Sequence, residues 1–203
     1  MSLTVDYFLS PQSPWTYLGH ERFAAIAAKA GAGISVLPVD LGRVFPVSGG
    51  LPLAKRAPQR QAYRLIELKR FSDFLGLPMN LQPRYFPVNG DDAAKLIIAV
   101  DEHEGSQAAM KITGSILRGV WAEQRNIADP TVLQSMLGES GLPARRLEDS
   151  QSQAVHERYD RDSQRAIDAG LFGAPTYRVE GEMFWGQDRL DFLQRKLQSA
   201  TST

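Results

Sequence analysis

The chain opens with an apolar segment, a helical pattern and a second apolar segment. Val5–Leu9 is short and rich in β-forming residues, and it ends at the turn-like Ser-Pro-Gln sequence of residues 10–12. Apolar positions then recur at steps of three and four residues, which predicts a helix that ends near Gly31 and Gly33. Residues 34–39 predict a second strand. A strand, a helix and a strand in this order form a β-α-β unit with parallel strands.

Helical periodicity dominates the middle of the chain, from Ala57 to about Ala169. The apolar spacing there follows the helical repeat, and prolines or glycines separate the segments. The predicted helices are 58–75, 91–104, 106–124, one that opens at Pro130 with Asp129 as its N-cap, and a mostly polar one over 147–169.

Strand patterns return near the end of the chain. Residues 175–179 and 182–185 flank Glu180-Gly181, a two-residue connection that favours a β-hairpin. A last helix is predicted over 188–197, and the tail 199–203 is expected to be frayed.

The order of elements predicts the fold class and the domain organisation. A β-α-β half, a helical block and a β-β-α half together predict an α/β protein with a thioredoxin-like fold and a large all-helical insertion. The thioredoxin-like domain is expected to be discontinuous, over residues 1–45 and 160–203. The helical insertion domain is expected over residues 46–159.

Composition narrows the possible functions. The 203 residues include 23 basic and 23 acidic side chains, and this balance argues against a nucleic-acid or anionic-membrane surface. No apolar run approaches the roughly 20 residues that span a bilayer. The first residues lack the basic region of a signal peptide, so a cytoplasmic protein is expected.

The absence of cysteine excludes several kinds of site. Disulfides, thiolate zinc sites, iron–sulfur clusters and a cysteine nucleophile all need a residue that this chain does not have. His20, His103 and His156 lie far apart, without metal-ligand spacing, and no metal site is expected.

The first candidate site is the start of the first helix. Ser13 stands where an N-cap belongs, and Pro14 stands where proline favours the first helical turn. Ser13 can serve as a cap alone. Alternatively, the free N–H groups of this helix end form an anion site at the carboxyl edge of the first strand.

The second candidate is the segment Gly173-Ala174-Pro175-Thr176. Pro175 can simply be the first residue of a strand, a position that sheets permit. Alternatively, it follows a cis peptide bond, and its neighbour Ala174 offers backbone groups to a peptide-like ligand.

Two further segments carry charged candidates. Asp188, within Gly186–Arg189, can cap the last helix or accept an ammonium group of a ligand. Lys55, Arg56 and Arg60 form a basic cluster in a loop rich in glycine and proline. That cluster can be exposed to solvent without a role, or it can receive an acidic substrate.

Taken together, these residues resemble the 2-hydroxychromene-2-carboxylate isomerase family, which is related to kappa-class glutathione transferases and to the DsbA-type thioredoxin fold. No single motif is specific, but four in the right order are a strong signal. The matching segments, which run nearly from end to end, are Ser13–Gly19, Val39–Val44, Phe172–Thr176 and Phe184–Leu190.

The resemblance implies a role for each matched residue. Ser13 takes the place of the first cysteine of DsbA-type oxidoreductases and corresponds to the catalytic serine of the family. Ala174 and Pro175 match the cis-proline turn that pairs with the glutathione backbone. The residues that match the grip on its γ-glutamyl end are Gly186, Gln187 and Asp188. The residues that match the region contacting the aromatic substrate are Lys55, Arg56 and Tyr85.

The implied activity is a glutathione-dependent cis–trans isomerisation of an aromatic, unsaturated 2-oxo acid, with a homodimer expected from the family. Two alternatives stay open: a glutathione transferase or peroxidase, and a non-enzymatic thioredoxin-like module that binds peptides along the Pro175 strand. Two positions differ from the naphthalene-pathway isomerases. Phe45 replaces a lysine near the substrate carboxylate, and Ala54 or Lys55 stands near the position of a loop asparagine. Both differences concern the acidic substrate and leave the glutathione side unchanged.

Overall fold

A four-stranded mixed sheet forms the centre of the computed structural model, which describes residues 3–201. Its strands are β1 (Thr4–Leu9), β2 (Gly33–Pro38), β3 (Thr176–Val179) and β4 (Glu182–Trp185), in the order β2-β1-β3-β4. β1 and β2 are parallel, whereas β3 is antiparallel to both β1 and β4. The predicted thioredoxin-like fold with its helical insertion is confirmed.

Helices cover both faces of the sheet. Pro58–Leu75 and Asp91–Glu104 have the bounds that periodicity and the flanking glycines or prolines predict. The helices are α1 (Pro14–Lys29), α2 (Leu41–Ser48), α3 (Pro58–Leu75), α4 (Asp91–Glu104), α5 (Ser106–Trp121), α6 (Pro130–Glu139), α7 (Arg146–Asp149), α8 (Gln153–Asp168) and α9 (Leu190–Thr201). Short 3₁₀ turns lie at Leu53–Lys55 and Gln187–Arg189.

The described structure differs from the predicted elements at several helix ends. α5 stops at Trp121 instead of 124, and Gln124 has a φ of 54°, which no helix accommodates. The last helix was predicted to start at 188, but a 3₁₀ turn precedes α9 there. α9 also continues through residues 199–201, which were expected to be frayed, while residues 202–203 lie outside the described part.

α2 was not predicted at all. Asp40 caps it, because its Oδ1 accepts a hydrogen bond from the Gly42 amide at 2.7 Å. Gly42 and Pro46 both have low helix propensity, so the local sequence alone does not indicate a helix. The buried Val44 packs with residues of α8 and stabilises α2 through tertiary contact.

Apolar side chains on both faces of the sheet are buried. Alternate residues of β1 point in opposite directions: Val5 and Tyr7 belong to the main core, whereas Phe8 belongs to a smaller cluster beneath α2 and α8. The main core also contains Leu68 of α3, so the sheet and the helical block share one apolar interior. The domain limits expected at 45/46 and 159/160 fall inside α2 and α8. Within residues 3–201, no helix is long and apolar enough to span a membrane.

Candidate active site

The register of the sheet gathers the candidate segments at one edge. Phe8, near the end of β1, pairs with Thr176 at the start of β3. Thr176 in turn pairs with Trp185 at the end of β4. The start of α1, the segment before β3 and the turn after β4 therefore meet at the same edge of the sheet. This is the carboxyl edge of β1, where an anion site was the alternative to a capping role alone for Ser13.

Ser13 is the N-cap of α1 and contacts the segment before β3. Its Oγ accepts a hydrogen bond from the Thr16 amide at 3.2 Å and donates one to the Ala174 carbonyl at 3.3 Å. The residue is 8% exposed. Since Pro14 has no N–H and Thr16 donates to the cap, the Trp15 amide is the free donor of this helix end and has no partner within residues 3–201.

The segment before β3 has the predicted cis bond between Ala174 and Pro175. The Pro175 carbonyl accepts a hydrogen bond from the Gly186 amide at 2.9 Å, which holds this segment against the turn after β4. Trp185 covers the backbone of Gly173, because a Cβ at that position would lie 2.5 Å from the indole Nε1. Only glycine allows the indole to approach so closely.

The turn after β4 presents Asp188 and buries Gln187. Gly186 has a φ of 98°, and a Cβ there would lie 2.5 Å from Asp188 Oδ1, so the turn requires glycine. The Gln187 side chain is 1% exposed, and its Oε1 accepts a hydrogen bond from Arg22 Nη1 at 3.2 Å. Gln187 thus holds the turn in place, whereas the carboxylate of Asp188 is accessible and has Arg189 3.4 Å away.

An open cleft of about 530 Å³ lies between this edge and α3. Its floor includes Trp15 and Phe71, whose rings meet edge to face with centroids 6.1 Å apart. The lining residues are Trp15, Arg56, Gln59, Arg60, Tyr63, Arg64, Glu67, Phe71, Ala174, Trp185, Gly186, Gln187, Asp188 and Arg189.

The predicted site residues fall into two groups. Those that line the cleft are Ala174, Gly186, Gln187, Asp188 and Arg56. Those outside the lining are Ser13, Pro175, Lys55 and Tyr85. Ser13 and Pro175 both adjoin the lining residue Ala174: Ser13 donates a hydrogen bond to its carbonyl, and Pro175 follows it in the chain. Lys55 and Tyr85 are exposed and do not line the cleft.

One side of the cleft is formed by residues of α3, called here the α3 wall: Gln59, Arg60, Tyr63, Arg64, Glu67 and Phe71. The sequence pointed to Arg60 of this wall, as part of the basic cluster, but not to the others. Arg64 lies one helical turn after Arg60 and faces the same cleft. The four-residue spacing of Arg60 and Arg64 within α3 was a signal that could have indicated one charged face, whereas Arg56 precedes the helix. Burial, followed by the charge of Arg56, lowers the pKa of Arg64 to about 10.

Comparison with known proteins agrees with this arrangement. A family model described as DSBA-like thioredoxin domain matches residues 4–198. A 2-hydroxychromene-2-carboxylate isomerase from Pseudomonas putida is 30% identical over 196 residues, which covers 95% of this chain and 93% of that protein. The chain belongs to the 2-hydroxychromene-2-carboxylate isomerase family of DsbA-like proteins.

Other proteins of this isomerase family are similar to this one along nearly the whole chain. An isomerase of the same name from Sphingobium xenophagum is 27% identical and covers 97% of this chain and 99% of that protein. A solved structure of a 2-hydroxychromene-2-carboxylate isomerase superposes with a TM-score of 0.80 at 26% identity. It covers 98% of this chain and 99% of that one.

Phe45, one of the two positions expected to differ from the naphthalene-pathway isomerases, lies outside the cleft lining. Its ring packs on Gly50, where any added Cβ would overlap the ring atoms. Phe45 therefore supports the loop that leads to Arg56 and presents no charge to the cleft.

Proposed function

We propose that the protein is a glutathione-dependent cis–trans isomerase of an aromatic, unsaturated 2-oxo acid. The observation that supports this most directly is the Ser13–Ala174 contact. It places a hydroxyl, where redox relatives have a thiol, at a helix start and beside a cis-proline segment. A chain without cysteine cannot perform dithiol exchange there, so the reactive sulfur must come from a bound thiol.

The residues of the edge fit glutathione. Ala174 lines the cleft, and its N–H has no acceptor within residues 3–201, so it is available to a peptide-like partner. The exposed carboxylate of Asp188 suits the ammonium group at the γ-glutamyl end. A volume of about 530 Å³ lies within the usual range of about 300–1,000 Å³ for small-molecule sites.

When bound, glutathione would supply a thiolate that adds reversibly to the conjugated carbon, so that the former double bond can rotate. The hydroxyl of Ser13 would donate a hydrogen bond to the sulfur and stabilise its negative charge. Its 3.3 Å bond to the Ala174 carbonyl is long, so the hydroxyl can turn to a stronger acceptor while Thr16 N–H still donates to Oγ. The free Trp15 amide at the helix end adds to this stabilisation.

The magnitudes are sufficient. A thiol with a pKa of about 8.5 is largely protonated at neutral pH, and lowering that pKa by about 2 units requires about 2.7 kcal/mol. A hydrogen bond to a charged group contributes about 1.5–3 kcal/mol, and a helix end contributes about 0.3–2 kcal/mol.

The remaining walls would orient the substrate. Trp15, Phe71 and Trp185 offer aromatic surface to a planar ring. Arg56 would bind the carboxylate, and its Nε is already fixed by a 2.8 Å hydrogen bond to the Leu51 carbonyl. Arg56 thus positions the substrate and exchanges no proton with it.

Ser13→Ala tests the proposal with 2-hydroxychromene-2-carboxylate as substrate. We expect kcat to fall about 10- to 100-fold, since one charge-assisted hydrogen bond is lost. Glutathione affinity, measured by calorimetry, should change far less. Ser152→Ala is the matched control, because Ser152 caps α8 with a similar bond to the Val155 amide at 3.5 Å. Turnover of Ser13→Ala within twofold of the control contradicts the role of Ser13. Consumption of glutathione into a stable conjugate would indicate a transferase instead.

A further inference from the structure

The α3 wall of the cleft carries cations that the protein leaves unneutralised. Arg60 and Arg64 form no ion pair within residues 3–201, although both line the cleft. Glu67 is the acidic residue of this wall, and Arg70 donates to its Oε1 at 2.7 Å. The carboxylate of Glu67 is thus already engaged, and the wall has a positive excess toward the cleft.

Arg64 is the half-buried member of this set. Its guanidinium carbon lies 5.3 Å from the centroid of the Phe86 ring and 5.7 Å from that of Trp121. Aromatic faces stabilise a cation through the flat side of the guanidinium and leave the N–H groups at its edge free to donate. No acceptor for these N–H groups is present within the described part of the chain.

Arg56 completes the geometry. It lines the same cleft, and it is near enough to Arg64 for the two like charges to repel each other. Two guanidinium groups that line one cleft repel each other, and an anion bound by both relieves that repulsion. A carboxylate is the planar anion that fits guanidinium donors two at a time.

Resting on the proposed function, we propose that Arg64 and Arg56 together bind the carboxylate of the substrate, and that Arg64 makes the cleft selective for acids over neutral aromatic compounds. Lys55, adjacent to Arg56 in the sequence, does not line the cleft and takes no part. The carboxylate belongs to the aromatic substrate, because the residues suited to glutathione lie on the opposite wall.

Arg64→Met tests this with two probes of the same shape, cinnamate and cinnamyl alcohol, titrated by calorimetry into protein saturated with glutathione. Methionine preserves an unbranched apolar contact with the rings. We expect cinnamate affinity to fall about 10- to 100-fold, in line with the loss of charge-assisted hydrogen bonds. The affinity for cinnamyl alcohol and for glutathione should stay within twofold.

Two further variants complete the design. Arg64→Lys keeps the charge and the long stem, so its loss of cinnamate affinity should be clearly smaller than that of Arg64→Met. Lys69→Met removes the same charge from an exposed position of α3, outside the cleft, and should leave both affinities unchanged. If turnover is measured, KM for the acid should rise in Arg64→Met while kcat stays within about threefold.

Each contrary result has its own meaning. Equal losses for acid and alcohol assign Arg64 to packing alone and overturn the proposal. A wild type that binds cinnamate and cinnamyl alcohol equally also overturns the proposal. Loss of glutathione affinity in place of cinnamate affinity overturns it too, because it would assign the Arg64 guanidinium to a carboxylate of glutathione. Failure of the wild type to isomerise any 2-oxo acid, with Arg64-dependent cinnamate binding intact, refutes the proposed function and leaves the carboxylate site standing.

Discussion

Gly19 connects the stability of α1 to the position of the turn after β4. A Cβ at this position would lie 2.8 Å from Gln187 Cβ and 2.8 Å from the Tyr177 hydroxyl. Carbon atoms normally approach to about 3.5–4.0 Å, so Gly19→Ala requires a shift of about 1 Å. Tyr177 is fully buried on β3 within the core, whereas Gln187, although its side chain is buried, belongs to a short 3₁₀ turn at the edge of the sheet. The displacement therefore falls mainly on Gln187 and carries Asp188 with it.

Two opposing terms set the stability of Gly19→Ala. Alanine favours a helix interior by about 1 kcal/mol over glycine, and overpacking costs about 1–3 kcal/mol. We therefore expect a net loss of about 0–2 kcal/mol in the free energy of unfolding, measured in urea. Glutathione affinity, measured by calorimetry, should fall about 10-fold or more, because Asp188 leaves its place.

Gly138→Ala is the matched control. Gly138 lies in α6, and a Cβ there meets no atom within 4 Å, so this variant gains helix propensity without a clash. It should be up to about 1 kcal/mol more stable than wild type and bind glutathione unchanged. If Gly19→Ala matches it in both measurements, the contact between α1 and the turn does not position Asp188.

Two further predictions concern folding. His20 is 3% exposed and lies 3.1 Å from the Tyr7 hydroxyl, and burial lowers its pKa below the ordinary value of about 6.5. The unfolded chain then binds more protons than the folded one as the pH falls below about 6.5, so stability declines there by up to about 1.4 kcal/mol per pH unit. His20→Gln should reduce the decline of the free energy of unfolding with falling pH, measured in urea at several pH values, whereas His156→Gln, at an exposed position, should not. If both variants lose stability with pH as steeply as the wild type, burial of His20 is not the cause of the decline. Asp40→Ala removes the cap of α2 and should cost about 1 kcal/mol, as should Asp129→Ala, which caps α6 through Thr131 at 2.8 Å. An unchanged unfolding midpoint for Asp40→Ala would show that packing alone maintains α2.

The local elements were predictable where the signals are local. α3 and α4 have their predicted bounds because proline, glycine and apolar spacing all lie within or beside them. The local signals of α2 are its two ends, Asp40 and Gly49. Gly42 and Pro46 oppose a helix between them, and contacts with α8 across the fold maintain it. Distant packing overrides local propensity there.

The site was predictable in part for a similar reason. Ser13 and Ala174 are 161 residues apart, and the pairing of β1 with β3 brings them together. The order of the motifs within a thioredoxin-like fold was enough to place both residues at one site. Arg64 could not be found in this way, since its ring partners, Phe86 and Trp121, follow it at long separations. Lys55, in the same basic cluster as Arg56, does not line the cleft, whereas Arg60 and Arg64, one helical turn apart on α3, both do.

Whether the protein stabilises the thiolate of glutathione is tested by a pH titration of the bound tripeptide, followed by the ultraviolet absorbance of its thiolate. Free thiols have a pKa of about 8.5. We expect the wild type to lower the pKa of bound glutathione to about 6.5, through Ser13 and the start of α1, and we expect Ser13→Ala to return it most of the way. A bound thiol that titrates like free glutathione in the wild type would contradict the central claim.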